Sequence, residues 1–105
     1  PWELIEERLR SAGKGDFVVC LYNPSSVKRA DYLAKACDIL MEHKPKETIC
    51  GIVNNIGREG EHMQVMTLSE LRDTQVDMFT TVFIGNTRTK VLNGKMVTPR
   101  GYKDV

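Results

Sequence analysis

The sequence lacks most features that assign a function directly. Its 15 basic and 14 acidic residues leave a formal net charge of +1, so no bulk field draws nucleic acid or an anionic membrane, and neither is an expected partner. No apolar run approaches the ~20 residues of a bilayer-spanning helix, and no charged-then-apolar leader of the signal-peptide kind is seen. Three widely spaced cysteines, Cys20, Cys37 and Cys50, are not a disulfide framework. They are expected as reduced thiols in a cytoplasmic protein. Cys37, His43 and His62 lack CxxC or HxxxH spacing, and no metal is expected. No Ser-His-Asp, Cys-His or paired-carboxylate arrangement can be assembled, which leaves the catalytic residues unassigned. There is no internal repeat, low-complexity segment or linker.

What remains is a chain of 105 residues, 41% hydrophobic and 28% charged, the size and balance of one soluble globular domain. Residues 1–13 carry a helical stripe of Trp2, Leu4, Ile5 and Leu9, with Pro1 and three glutamates at the start and Gly13 at the stop. Residues 17–22 form a continuous apolar run that predicts a strand covered on both faces. Val27, Ala30, Leu33, Ala36, Cys37 and Leu40 recur at helical spacing over residues 27–43. Ser25 or Ser26 can cap that helix.

Residues 47–54, 62–67 and 78–85 read as further strands, and Thr67-Leu-Ser-Glu70 has the spacing of a capping box. Asn93-Gly94 supplies the positive φ angles of a type I′ turn, so residues 90–97 form a hairpin. Strands alternating with helices predict an α/β fold, a mixed β-sheet of about five strands flanked by helices.

Three apolar strands end alike, at Leu21-Tyr22-Asn23, Val53-Asn54-Asn55 and Gly85-Asn86. Ligands of open α/β sheets collect beyond the carboxyl ends of the strands, and an asparagine there offers both an acceptor and a donor. The alternative is that asparagine is common in turns. Asn23-Pro24-Ser25-Ser26, followed by Lys28 and Arg29, has no glycine with which to wrap a phosphate. A capped turn with solvated cations is the favoured reading there. Gly57-Arg58-Glu59-Gly60-Glu61 displays charges between two glycines. It is either a solvated hairpin-like loop or a mobile one whose Arg58 grips a carboxylate.

The segments LYNPSS, GIVNNIGREGE, TTVFIGN and NGKMVTPRGY together resemble the S-adenosylmethionine-dependent tetrapyrrole methylases of cobalamin (corrin) biosynthesis. The likeness is to the branch that methylates ring carbon 17, with ring contraction, of precorrin-3B or cobalt-factor III. It covers nearly the whole chain and matches the carboxyl-terminal half of that family. It implies two α/β domains with S-adenosylmethionine held between them, a tetrapyrrole in an adjoining trough, and a homodimer. The amino half of that family, which carries its glycine-rich cofactor segment, has no counterpart here, so the resemblance implies a domain cut from its amino-terminal partner that does not catalyse alone; the start at Pro1 fits either processing or such a cut.

Carried over by position, the resemblance places Leu21, Tyr22, Asn23, Asn55, Ile56, Asn86 and Thr87 against the cofactor. It makes Arg58, Arg88, Lys28 and Arg29 cations for the carboxylates of a corrin precursor. Rival readings are another tetrapyrrole methylase acting at a different ring carbon, and a non-catalytic module for dimerisation or for a nucleotide-like ligand.

Overall fold

A computed structural model describes residues 2–22 and 31–99. Helix α1 (Trp2–Lys14) is followed by strand β1 (Val19–Tyr22), helix α2 (Tyr32–Leu40), strand β2 (Ile49–Asn54) and strand β3 (His62–Thr67). Helix α3 (Leu68–Arg72), strand β4 (Thr80–Ile84) and the hairpin β5 (Lys90–Leu92) and β6 (Lys95–Val97) complete the order. The expected helix start at Val27 and its serine cap lie outside the described residues.

The main sheet has the order β1-β4-β2-β3. Strand β4 pairs antiparallel with β1 on one side, Tyr22 opposite Thr81 and Val19 opposite Ile84. It pairs antiparallel with β2 on the other, Asn54 opposite Thr80 and Cys50 opposite Ile84. β2 and β3 are also antiparallel. The α/β architecture stands, with four strands in one sheet and two in a second. The expected mixture of parallel and antiparallel ladders becomes antiparallel pairing throughout the four-stranded sheet. β1 and β2 do run the same way, as strands joined through a helix should, but β4 lies between them and opposes both.

Side-chain alternation along the strands divides the sheet into two faces. Cys50, Ile52, Val82 and Ile84 join Leu9 of α1, five residues of α2, and Leu68 and Leu71 of α3 in one buried core. Burial pushes the Cys37 and Cys50 thiols up to about 12, so both are neutral and inert at pH 7. Trp2 meets Tyr32 edge to face at 5.4 Å and Arg10 pairs with Glu42 at 3.1 Å, tying α1 to α2. Arg72 does the same for α3 and α2 through Asp38, also at 3.1 Å.

The opposite face is less covered. The β5–β6 hairpin reaches over it, and Gly51, Val53, Met63, Val65, Phe83 and Met96 help line an apolar cavity of about 280 Å³. A Cβ at Gly51 would stand 3.3 Å from the Met96 sulfur, so glycine lets the hairpin sit down. β1 therefore departs from expectation. Its inner side chains, Val19 and Leu21, pack on the core, while Cys20 and Tyr22 are exposed on the other face.

Two local signals take the predicted form. Asn93 and Gly94 have φ of 54° and 74°. Thr67 Oγ1 accepts from the Glu70 N–H at 3.2 Å, and a Glu70 carboxylate oxygen accepts from the Thr67 N–H at 2.9 Å. α3 is only five residues long, so it depends on this box and on its two buried leucines. Thr67→Ala is expected to cost roughly 1 kcal/mol, read as a lower urea midpoint with an unchanged slope.

Candidate functional site at one end of the sheet

Because β4 opposes β1 and β2, the three asparagine endings do not share a rim. The carboxyl ends of β1 and β2 meet the beginning of β4: Tyr22 lies beside Thr81 and Asn54 beside Thr80. The end of β4, with Asn86, Thr87 and Arg88, is at the opposite edge of the sheet, beside the entry to β1.

At the first edge an open pocket of about 270 Å³ is lined by Tyr22, Asn55, Ile56, Arg58, Met78, Phe79, Thr80 and Thr81. Four residues singled out from sequence thus come together: Tyr22, Asn55, Ile56 and Arg58. Leu21 does not join them, since alternation turns it towards the helices. Asn23, Lys28 and Arg29 lie outside the described residues.

Hydrogen bonds from the carboxyl end of β2 hold the pocket floor. Asn54 donates through Nδ2 to Thr80 Oγ1 at 2.9 Å, and that hydroxyl donates to the Asp77 carboxylate, also at 2.9 Å. The same Asp77 oxygen accepts from the Phe79 N–H at 2.9 Å. The Asn55 N–H donates to the Phe79 carbonyl at 3.0 Å. Asn55 takes a left-handed φ of 55° and Gly57 one of 71°, a conformation that asparagine and glycine tolerate best. This reversal lets the Arg58 N–H reach the Asn55 carbonyl at 2.9 Å.

The Gly57 N–H donates to the Glu61 carboxylate at 3.0 Å, which holds the loop closed. Above it, the Arg58 guanidinium lies 4.4 Å from the centre of the Phe79 ring. Among the described residues the pocket therefore offers one cation, one amide and a platform of exposed apolar side chains, Tyr22, Ile56, Met78 and Phe79. Sequence reasoning missed Met78, Phe79, Thr80 and Thr81, because MFTTVFIG reads as one buried strand. The available signal was Asp77, whose side chain turns the backbone before β4 starts at Thr80.

The opposite edge is a structural knot. Asn86 Nδ2 donates to the Asp16 carbonyl at 3.1 Å, and Thr87 donates to the Asp16 carboxylate through both its N–H (3.0 Å) and its hydroxyl. Lys44, which is buried, donates to the Phe17 carbonyl at 2.8 Å and the Gly85 carbonyl at 2.9 Å. Gly85 is required there, since a Cβ would stand 2.6 Å from the Ile49 carbonyl oxygen. Asn86 and Thr87 thus spend their polar groups on the fold. Arg88 adds positive charge near Asp16, remote in the sheet from the Arg58 pocket. Among the described residues no group of three metal-ligating side chains occurs, and no helix is long and apolar enough to cross a membrane.

This geometry belongs to a known class of domain. The model of the tetrapyrrole (corrin/porphyrin) methylases matches residues 1–72, and the chain belongs to that family. It is 44% identical over 97% of its length to a probable cobalt-factor III C(17)-methyltransferase of Salmonella typhimurium, covering 42% of that protein. It is 45% identical over 99% of its length to a protein of the same name from Methanocaldococcus jannaschii, covering 45% of it. The crystal structure of the methyltransferase CobJ superposes on 94% of the chain with a TM-score of 0.83 at 30% identity, using 41% of that structure. The chain spans less than half the length of these relatives.

The knot carries its own test. The Thr87 hydroxyl and N–H hold the Asp16 carboxyl below its ordinary pKa. A carboxylate depressed in the folded state stabilises above its unfolded pKa and loses that contribution as pH falls through the folded value. Asp16→Asn is expected to cost no more than about 1 kcal/mol at pH 7 after solvent screening. The gap to wild type in thermal melts should close below about pH 4.

Proposed function

We propose that this chain is the carboxyl-terminal domain of an S-adenosylmethionine-dependent methyltransferase of cobalamin biosynthesis, acting at ring carbon 17 of a corrin precursor with ring contraction. The observation that carries this reading is similarity along almost the whole chain to relatives named for that reaction. Their names favour cobalt-factor III as the substrate, with metal-free precorrin-3B as the alternative.

The pocket at the ends of β1 and β2 fits one wall of such a site. Asn55 offers an amide whose one bond among the described residues is a long one, 3.4 Å to the Gly60 carbonyl, and Tyr22 and Ile56 offer apolar surface. These suit the edge and face of an adenosyl group. S-adenosylmethionine supplies an activated methyl on a sulfonium, so positioning in a dry cleft is much of what the protein must add. Arg58 suits a carboxylate of the tetrapyrrole, to which its planar fork can donate two bonds. The pocket is open, and an amino-terminal domain in the full protein is the natural second wall. A homodimer and a cytoplasmic location complete the proposal, the first from the family resemblance and the second from the free thiols Cys20, Cys37 and Cys50.

Methyl incorporation by the full-length protein, with cobalt-factor III and precorrin-3B offered separately, tests the reading directly. Turnover of cobalt-factor III is expected, and labelling of neither substrate would overturn it. Arg58→Ala should raise the KM for the tetrapyrrole roughly tenfold or more, the loss of one charge-assisted pair, and leave the KM for S-adenosylmethionine within about twofold.

A further inference from the structure

The Arg58 guanidinium has an aromatic ring for a neighbour where a carboxylate would be ordinary. Glu59 follows Arg58 directly and Glu61 lies three residues on, yet Glu61 is engaged by the Gly57 N–H, and no ion pair to Arg58 occurs among the described residues. A guanidinium stacked face-on against a ring keeps its in-plane N–H donors free for a ligand. An ion pair would occupy those donors and would have to break before a ligand bound.

Phe79 is itself held for this role. Its N–H is fixed by Asp77, its carbonyl by the Asn55 N–H, and the next residue, Thr80, by Asn54 and Asp77. Phe79 is 47% exposed, so it is not there to fill the core. Exposed Met78 and Ile56 extend the apolar surface around it.

We propose that Phe79 is a positioning residue of this site, its ring holding the Arg58 guanidinium flat so that the donor edge meets a peripheral carboxylate of a tetrapyrrole. The inference rests on the function proposed above and adds to it a residue that confers specificity for acidic, flat substrates. Phe79 acts through Arg58 and need not touch the reacting atoms.

A double-mutant cycle in the full-length protein tests this, with steady-state KM for cobalt-factor III and for S-adenosylmethionine as readouts. Phe79→Leu is expected to raise the tetrapyrrole KM roughly two- to fivefold, the scale of an exposed cation–π contact. The KM for S-adenosylmethionine should not move, and Phe79→Tyr, which keeps the ring, should restore the wild-type value. In an Arg58→Ala background Phe79→Leu should add nothing. A penalty that persists in that background, a Tyr variant as impaired as the Leu one, or equal shifts in both KM values would overturn the proposal. If Arg58→Ala leaves the tetrapyrrole KM unchanged, the positioning role fails while the methyltransferase reading stands. If the wild-type protein turns over no tetrapyrrole, both fail.

Discussion

Strand β4 threads antiparallel between β1 and β2, and the rest of the structure depends on it. Its backbone satisfies the hydrogen-bonding edges of both neighbours, while Val82 and Ile84 put fully buried side chains into the core. Removing it would leave two unpaired strand edges and open the core to the outer face. The inserted strand also decides which chain segments meet. It brings its first residues, Thr80 and Thr81, to the ends of β1 and β2, and carries its last ones away to the entry of β1.

The two ends of the sheet consequently do different work. At one, Asn86, Thr87, Lys44 and Asp16 spend their polar groups on one another and on backbone carbonyls, closing a joint between the α1–β1 turn and the β4–β5 turn. At the other, Asn54 and Thr80 seal the floor, and the residues above them remain exposed around an open pocket. A mutually satisfied cluster is a poor place for a ligand. An edge with a cation, an amide and exposed aromatic surface is a good one. Strand direction thus decides whether a strand-ending asparagine closes a joint, as Asn86 does, or the floor of an open pocket, as Asn54 does.

That direction marks the limit of what the sequence could show. The capping box at Thr67–Glu70, the Asn93-Gly94 turn and β3 at residues 62–67 follow from local chemistry and were legible. So was the helical stripe later buried as Leu33, Ala36, Cys37 and Leu40. Periodicity says which residues share a face but nothing of which way a strand points, and pairing is a long-range property. Three similar strand endings were therefore read as one rim when only two of them coincide. Leu21 shows a related failure: a four-residue apolar strand gives no sign of which side faces the helices. Phe79 was hidden because an apolar residue just before a strand looks like part of it, and only Asp77 hinted at a turn.

In the proposed function, ligands engage the edge formed by the ends of β1 and β2 and the start of β4. Hydrogen–deuterium exchange on the full-length protein, with and without S-adenosylhomocysteine and tetrapyrrole, addresses this most directly. Slower exchange on binding is expected at residues 54–58 and 78–81, with residues 86–89 unchanged. Protection of residues 86–89 without any at 54–58 would contradict it and return the site to the end of β4.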